Sequence, residues 1–350
     1  MSKVKIILVS HKPFKIPEGE LYIPIHAGRK IAMQKSKDGN ITNSDFNWMI
    51  EKTIGDDTGD NISDKNRLYS ECSALYWVWK NYDKIGNPDY IGLMHYRRHF
   101  IFNDKYYQSK NNDNWHKALC YINENLIDEN YINNIGLSDE NIFAACANYD
   151  LIVSKDAELH LIRGQNLREN YKNTIPGAKV EDFDLMVDIV RKYYPQYNEV
   201  LDENINGSKK TLYQMFIMKK DLFFEYCSFC FDVLFRVENQ TNFENRTTNG
   251  KRALGYLAEL LLSIFVWEKQ KENLKILKLG VTEVEFPYEI EKLKEMKNEK
   301  CPSYFSYLGL KIKSLFLKGK DFQENKDQRK IIRNKRKTYK HLKKLELGVK

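Results

Sequence analysis

Two runs of almost continuous apolar residues constrain the fold of this chain more than any other feature of its sequence. Residues 4–9 are rich in β-branched side chains, and residues 90–94 form a second run of the same kind. Continuous rather than alternating apolar residues are typical of strands buried on both faces, as in parallel sheets covered by helices. Polar residues follow each run at once, either at a sheet edge where ligands bind or in a loop that simply turns away.

The rest of the first 270 residues alternates between strand and helix patterns. Further strands are predicted at 149–153 and 212–218, and helices at 63–82, 183–194, 221–238 and 254–267. Strands that alternate with helices indicate an α/β fold with a mostly parallel central sheet. Beyond residue 270 Lys and Glu alternate and prolines break the chain. We therefore predict a domain over residues 1–270 and a basic helical C-terminal extension over 271–350.

The spacing of the cysteines and the lengths of the apolar stretches limit the cellular compartment in which the protein can function. Six cysteines, at positions 72, 120, 146, 227, 230 and 301, form no disulfide framework and fit a reduced cytosolic setting. The longest apolar stretch, residues 254–267, contains Glu259 and is shorter than the roughly 18–20 residues that a membrane span needs. We predict a cytoplasmic protein that is soluble or lies on a membrane surface without crossing it.

The net charge of +8 is concentrated at the C terminus. Residues 311–350 hold 15 Lys and Arg against 4 Asp and Glu, which leaves a net charge of −3 for the other 310 residues. A mildly acidic body argues against a nucleic-acid partner. Apolar residues among lysines at 307–320 are typical of a segment that attaches to an anionic inner membrane face, or of a solvated helix that closes the domain.

Several common active-site motifs are absent from the sequence. It has no P-loop, no G-x-G-x-x-G after its first strand and no G-x-S-x-G nucleophile elbow. Cys227 and Cys230 form a C-x-x-C, but no second Cys or His pair stands at zinc-binding spacing. The pair lies in an apolar helical pattern, which favours structural cysteines over a metal or redox site.

Polar residues at the ends of the predicted strands are the candidates for chemistry. Ser10, His11 and Lys12 follow the first run, and His95, Tyr96, Arg97 and Arg98 follow the second. Guanidinium groups bind phosphate oxygens in two-point geometry, so Arg97 and Arg98 would complement a diphosphate and stabilise it as it departs.

An acidic loop at residues 55–61 offers a second way to hold a diphosphate. Asp56, Asp57 and Asp60 could bind Mg or Mn, which prefer hard oxygen ligands. The loop does not clearly end a strand, however, so we place cationic stabilisation above a metal and predict no metal ligand.

Glu259 is the one carboxylate in an otherwise apolar helical stretch. A buried Glu must pair with a cation, such as Arg252, or lie in a site that raises its pKa. In the second case it would suit a general base that deprotonates an acceptor hydroxyl. Both interpretations remain open from the sequence.

Seven blocks of this sequence, taken in order, resemble one bacterial family long catalogued as a domain of unknown function. The blocks are GDDTGDNIS at 55–63, KN at 65–66, ALYWVWKN at 74–81, YIGLMHYRR at 90–98, MFIMKK at 215–220, FFEYC at 223–227 and GYLAE at 255–259. Members of that family are assigned to capsular or exopolysaccharide biosynthesis as glycosyltransferases, and some are linked to galactofuranose transfer. The resemblance spans roughly residues 3–268.

The resemblance implies a GT-A-like α/β glycosyltransferase that takes a nucleotide-sugar donor, UDP-linked by expectation, and a lipid-linked or oligosaccharide acceptor. GT-A folds usually place Asp-x-Asp at the end of a central strand, where this chain has residues 95–98, so cations would replace the metal. We expect catalytic roles for His95, Arg97, Arg98 and Glu259. We expect donor binding by Ser10, His11, Lys12, Asp57, Asp60, Asn61, Lys65, Asn66 and Tyr96.

Two departures from the family pattern leave alternatives open. Leu260 follows Glu259 where the family has Arg, and residues 165–179 fit only loosely. A non-catalytic scaffold of a polysaccharide assembly complex is therefore one alternative. A sugar-phosphate transferase is another, because the same cationic residues would suit it.

Overall fold

A computed structural model places both apolar runs in one sheet. The structure describes residues 2–34, 41–111, 113–159, 166–175, 177–298, 302–313 and 319–345. The chain divides into two compact units, one of Met1–Ala32 and Asn43–Pro287 and a second of Met33–Thr42 and Tyr288–Lys350.

The first unit is built around a sheet of nine strands in the described residues. They are β1 (Val4–Ser10), β2 (Tyr22–His26), β3 (Ile54–Gly55), β4 (Tyr90–His95), β5 (Phe100–Ile101), β6 (Tyr121–Leu126), β7 (Leu151–Ser154), β10 (Phe216–Lys219) and β11 (Ile276–Phe286). Their order across the sheet is β3-β2-β1-β4-β10-β7-β11-β5, with β6 also paired to β11. Two short strands, β8 (Asp156–Glu158) and β9 (Lys209–Thr211), pair separately.

Most of the strand pairs are parallel, as predicted. The pairs β1–β2, β1–β4, β2–β3, β7–β11 and β6–β11 are parallel. Strand β10 is antiparallel to both β4 and β7, and β5 is antiparallel to β11. The sheet is therefore mixed, and the prediction of an α/β fold with a mostly parallel sheet is confirmed.

Helices cover both faces of this sheet, which explains the continuous apolar runs. Ile7 and Val9 of β1 lie in one core and Ile6 and Leu8 in the other. The helices of the first unit are α1 (Asn43–Lys52), α2 (Asn66–Tyr69), α3 (Cys72–Lys80), α4 (Asp104–Lys110), α5 (Asn114–Leu119), α6 (Glu129–Ile135), α7 (Asp139–Asn148), α8 (Leu167–Thr174), α9 (Val180–Tyr193), α10 (Asn198–Asn206), α11 (Lys220–Gln240), α12 (Thr248–Lys251) and α13 (Ala253–Lys271).

The structure differs from the predicted elements at two backbone breaks. The helix expected over 63–82 is divided at Ser70, which has φ 53° and separates α2 from α3. The strand expected over 212–218 begins only at Phe216, because Tyr213 and Gln214 have φ values of 75° and 50°. Residues with positive φ can continue neither a helix nor a strand, and side-chain periodicity does not reveal them.

The sheet extends past the predicted boundary between residues 270 and 271. Strand β11 follows that boundary and pairs with β5, β6 and β7 inside the sheet. The second unit holds α14 (Ile290–Asn298), α15 (Tyr304–Lys313) and α16 (Gly319–Lys344), so its described part is helical. Residues 314–318 of the predicted membrane segment lie outside the described residues. No described helix is long and apolar enough to span a membrane.

Candidate active site

The carboxyl ends of β1 and β4 bring the two predicted polar groups together. The strands are parallel with Val9 opposite His95, and the Tyr96 N–H donates to the Val9 carbonyl at 3.1 Å. The His11 ring meets the Tyr96 ring edge-on, with centroids 5.6 Å apart. The Lys12 Nζ lies 5.3 Å from the same ring centroid. This edge of the sheet therefore gathers cationic and titratable side chains, as the sequence predicted.

Ser10 is buried beneath this group. Its hydroxyl donates to the Lys12 carbonyl at 2.6 Å and accepts from the Lys12 N–H at 3.2 Å. A serine that bonds the backbone two residues on closes a tight local turn. Ser10 thus fixes how the chain leaves β1, and donor contacts at this point would come from the residues that follow it.

Arg97 and Arg98 share one carboxylate, that of Glu283 in β11. Arg98 Nη2 lies 3.1 Å from Glu283 Oε2, and Arg97 Nη1 lies 3.3 Å from Glu283 Oε1. Burial would raise the Glu283 pKa, but the two guanidinium groups outweigh it and the pKa is lowered. Two cations facing one anion leave a net positive charge. Arg97, with 39% of its side chain exposed against 22% for Arg98, is the more accessible of the two.

His95 is held as a neutral hydrogen-bond donor. Its Nε2 lies 2.7 Å from the carbonyl oxygen of Tyr213, which can only accept, so Nε2 carries the proton. Burial, and then Arg98, lowers the His95 pKa to about 3. A neutral imidazole with its single proton committed to a backbone carbonyl is poorly suited to proton transfer.

Glu259 in α13 lies near this group, and the cations that act on its pKa are Lys210 and Arg98 and not the Arg252 suggested by the sequence. Burial raises the Glu259 pKa and Glu71 adds to the rise, while Lys210, Arg98 and the Tyr213 backbone oppose it. Arg252 instead donates to the Ser70 hydroxyl at 2.9 Å. Burial lowers the Lys210 pKa, which Glu259 partly restores. A carboxyl with a raised pKa beside cations has the character expected of a general base.

The acidic loop is anchored to the scaffold through Asp56. This buried carboxylate accepts from the backbone N–H groups of Gly28 and Arg29 at 2.7 and 3.0 Å. It also accepts from the Ser63 and Ser73 hydroxyls at 2.6 and 2.7 Å. Four hydrogen bonds to one buried carboxylate join the ends of β2 and β3 to α3, so Asp56 has a structural role.

The other predicted donor-binding residues of this region have partners within the fold. Asp57 interacts with Arg29, and Asp60 accepts from the Tyr76 hydroxyl at 3.1 Å. Lys65 pairs with Glu238 at 2.9 Å. The Asn61 side chain donates to the Gly59 carbonyl at 2.9 Å, and that of Asn66 donates to the Ser70 carbonyl at 2.7 Å. Their donor-binding roles stay predictions.

Most of the first unit matches a known protein family. Residues 5–271 match the family described as Domain of unknown function (DUF4422). The chain belongs to this DUF4422 family. No curated protein matches the sequence.

A solved structure is similar to this DUF4422 chain over most of its length. That structure is titled WbbM bifunctional glycosyltransferase in its apo form, and it is 31% identical with a TM-score of 0.69. The similarity covers 81% of this chain and 45% of the other, so this chain spans less than half the length of that protein.

Three residues of the site were not identified from the sequence: Glu283, Lys210 and Tyr213. Glu283 lies beyond residue 271, where the DUF4422 match ends, in a segment assigned to the extension. Its alternation with apolar neighbours in β11 could have indicated a strand, but not the arginines it faces. No sequence signal marks Tyr213, because its contribution is made largely by its backbone.

Metal and cysteine chemistry find little support in the described part of the chain. Within those residues no three His, Cys, Asp or Glu side chains are grouped so that they could hold a metal ion. Cys227 and Cys230 are unpaired and fully buried in α11, and burial raises the pKa of both thiols. Thiols with raised pKa values are inert, which agrees with the structural role predicted for this pair.

Proposed function

We propose that this DUF4422 chain is a glycosyltransferase that moves a sugar from a nucleotide-sugar donor to an acceptor hydroxyl. The observation that carries the proposal is the similarity to the WbbM bifunctional glycosyltransferase, at 31% identity and a TM-score of 0.69. A cation-rich sheet edge beside a partly buried carboxyl, that of Glu259, supports it independently. We further propose a GT-A-like arrangement, a UDP-linked donor such as a galactofuranose donor, and an acceptor that is a precursor of a surface polysaccharide.

Arg97 and Arg98 would stabilise the departing nucleoside diphosphate. Their shared partner Glu283 neutralises one of the two positive charges and leaves the other for phosphate. Lys12, which follows β1 and lies beside the Tyr96 ring, would add a second contact to the diphosphate. Fixed cations in a partly buried site stabilise developing negative charge without reorganisation, which is the work that a metal ion does elsewhere. A Mg or Mn requirement is the less favoured proposal.

Glu259 would act as the general base in a direct displacement. The acceptor hydroxyl attacks the anomeric carbon and passes its proton to the Glu259 carboxylate. The bond from that carbon to the diphosphate oxygen breaks, and the electron pair leaves with the diphosphate. The raised pKa of Glu259 favours proton acceptance at a pH near neutrality. Leu260, which replaces the family's Arg, lies in the core and takes no part in this step.

A basic helix face in the second unit supports attachment to an anionic inner membrane surface. Six exposed residues of α16 follow helical spacing: Lys326, Lys330, Arg333, Lys337, Lys340 and Lys344. At 100° per residue they fall within an arc of roughly 80°. Like charges in such a row repel one another, and anionic headgroups would relieve that repulsion. In this proposal residues 311–350 hold the enzyme at its lipid-linked acceptor.

A donor screen followed by product analysis tests the proposed activity. Melting temperature is measured with UDP-, GDP-, CMP- and dTDP-sugars, each with Mn or with EDTA, since a ligand of the native state raises it by mass action. We expect one nucleotide class to raise it in EDTA, and turnover to fall about 10²–10⁴-fold in Glu259→Gln.

The outcomes separate the alternatives. A product that retains phosphate would identify a sugar-phosphate transferase. Absence of both a thermal shift and any product would favour the scaffold. A rise in melting temperature that requires Mn would indicate that the donor site binds a metal ion.

A further inference from the structure

A polar stripe runs along α13, which is otherwise an apolar helix over most of its length. Arg252 is the N-cap residue of α13, and Tyr256, Glu259 and Ser263 follow at spacings of four, three and four residues. At 100° per residue the four side chains fall within an arc of roughly 60°. One face of α13 therefore carries the proposed base in line with a cation and two hydroxyl groups.

Both ends of this stripe contact neighbouring elements. At its start Arg252 Nε donates to the Ser70 hydroxyl at 2.9 Å, at the junction of α2 and α3. At its end the Ser263 hydroxyl accepts from the Thr211 backbone N–H in β9 at 3.2 Å. The stripe thus extends from the α2–α3 junction to β9, with the proposed base between the two contacts.

Arg252 is a partly buried cation whose hydrogen-bond partners are neutral. Besides its bond to Ser70, its Nη1 donates to the Tyr256 hydroxyl at 3.4 Å, and its Cζ lies 5.3 Å from the Tyr256 ring centroid. Within the described residues it pairs with no carboxylate, whereas Arg246, six positions earlier, pairs with Asp182. The N-terminal end of a helix also disfavours a cation. A partly desolvated guanidinium without a counter-charge is the arrangement expected where an anion binds.

Ser70 holds Arg252 through an unusual backbone conformation. It has φ 53° and ψ −131°, a region that residues other than glycine rarely adopt and that persists only where the surroundings impose it. The Ser70 N–H donates to the Asn66 carbonyl at 2.7 Å, and the Ser70 carbonyl accepts from the Asn66 side-chain amide at 2.7 Å. Gly255 of α13 lies so close that a Cβ on it would be 3.0 Å from the Ser70 hydroxyl oxygen. The turn therefore packs the serine against α13 with its hydroxyl at the Arg252 guanidinium.

We propose that Arg252 binds an anionic group of the acceptor, a carboxylate or a phosphate carried by the acceptor sugar, and that Ser70 is the residue that positions the guanidinium. This inference rests on the proposed function, because it takes Glu259 as the base. Glu259 lies seven positions after Arg252, which is about 10 Å along the helix axis. An acceptor held at Arg252 by its anion would therefore present to Glu259 a hydroxyl of the same sugar or of the adjoining one.

Binding of three sugars to the full-length protein tests the proposal without turnover. Glucuronic acid, glucose 6-phosphate and glucose are titrated by calorimetry, and we expect one or both anionic sugars to bind wild type more tightly than glucose. Arg252→Met should weaken that binding about 10–100-fold, as for the loss of a hydrogen bond to a charged group. Arg252→Lys, which keeps the charge without the planar fork, should recover part of it. Preference for glucuronic acid would assign a carboxylate to the acceptor, and preference for glucose 6-phosphate a phosphate.

Matched variants separate binding from folding. Arg236→Met removes a cation that is paired with Asp232 on α11, and it should bind the sugars as wild type does. Ser70→Gly should raise the melting temperature, because glycine adopts positive φ without strain, and should still weaken anion binding about 5-fold through the lost bond to Arg252. If Arg252→Met does not melt cooperatively, Arg252→Gln, which can still donate to the Ser70 hydroxyl, replaces it. A higher melting temperature in Ser70→Gly with unchanged anion binding would contradict the positioning role.

Two results would overturn the proposal. One is a wild-type protein that binds neither anionic sugar more tightly than glucose. The other is anion binding that survives Arg252→Met, and its loss in Arg97→Ala would then assign the anion to the diphosphate site. Where turnover is found, Arg252→Met should raise KM for an anionic acceptor and leave kcat and the donor KM within about twofold of wild type. Absence of turnover with any donor would defeat the proposed function, and the binding series would still decide the role of Arg252.

Discussion

Arg98 donates a hydrogen bond to Glu283 at 3.1 Å, although the two residues are 185 positions apart in the chain. The bond joins the segment after β4 to β11 across the sheet. Burial alone would disfavour the charge on Arg98, but Glu283 outweighs it and the Arg98 pKa is raised. The stability of the fold and the charge of the proposed diphosphate site therefore depend on the same carboxylate.

Glu283→Gln should destabilise the protein at neutral pH. Removing one partner of a largely buried pair leaves Arg98 without its counter-charge, and we expect a loss of about 2 kcal/mol in the free energy of unfolding. The Glu283 pKa is lowered in the folded state, so its contribution is complete above the ordinary Glu pKa and is lost as pH falls through the folded value. Urea unfolding at pH 7 and at pH 3 should show the difference from wild type shrinking in acid. Glu285→Gln, an exposed change on the same strand, is the control. A deficit of equal size at both pH values would contradict an ionic origin.

Arg97→Ala should reduce turnover far more than Asp57→Ala. Arg97 is the more exposed of the two arginines, so its loss should leave the fold intact while removing a contact to the leaving diphosphate. We expect kcat to fall about 10²–10³-fold, as for the loss of one transition-state donor. Initial rates with the donor found in the thermal screen provide the measurement. The reverse ranking, with recovery in Mn, would mean that the acidic loop binds a metal.

Asp56→Ala should unfold the protein more easily than Asp60→Ala. Asp56 is buried and accepts four hydrogen bonds, so its loss would leave several buried donors unsatisfied. The cost is about 3 kcal/mol, since each such donor carries a desolvation penalty. Asp60 is exposed and accepts from one tyrosine hydroxyl, so its loss should cost under about 1 kcal/mol. Chemical unfolding of the two variants under identical conditions compares them. Similar losses would show that the hydrogen bonds of Asp56 do not anchor the loop.

Lys330→Gln/Lys337→Gln should weaken binding to anionic vesicles. Both residues lie in the basic face of α16, and each lysine near an anionic surface contributes about 1 kcal/mol, so the pair should raise Kd about 30-fold. The matched control removes the same charge from elsewhere on the helix, in Lys335→Gln/Lys343→Gln, both exposed residues. Sedimentation with vesicles containing phosphatidylglycerol, against neutral vesicles, measures the effect. Equal weakening by the two double variants would indicate a dependence on total charge alone.

The sequence predicted those parts of the fold that local patterns encode. The apolar runs of β1 and β4 and the long helices α11 and α13 each carry their own signal, and all four were found. Strand β11 was missed because Lys278 and Glu283 interrupt its apolar residues. Those charges are paired with Asp156 and Arg98, and such pairing depends on contacts far along the chain.

The candidate site was predicted only in part for a similar reason. Arg97, Arg98 and Glu259 carry charges that stand out in apolar surroundings, so sequence alone could select them. The left-handed turn at Tyr213 leaves no mark on composition or spacing. The distinction between Asp56 and Asp57, adjacent and chemically identical, is made only by which one faces the N–H groups of Gly28 and Arg29.

Strand β11 also bears on how the protein is made. A ribosome releases the chain from the N terminus, so Arg98 is synthesised long before Glu283, and the middle of the sheet beside β7 waits for the same late segment. Until residues 276–283 have emerged, β7 lacks its parallel neighbour in β11 and the arginine pair lacks its anion, Glu283. A nascent chain stopped at residue 271 would expose a sheet edge open to pairing with other chains. Strand β11 thus covers the open edge of β7 and supplies the counter-charge of Arg97 and Arg98 as one segment of the chain is added.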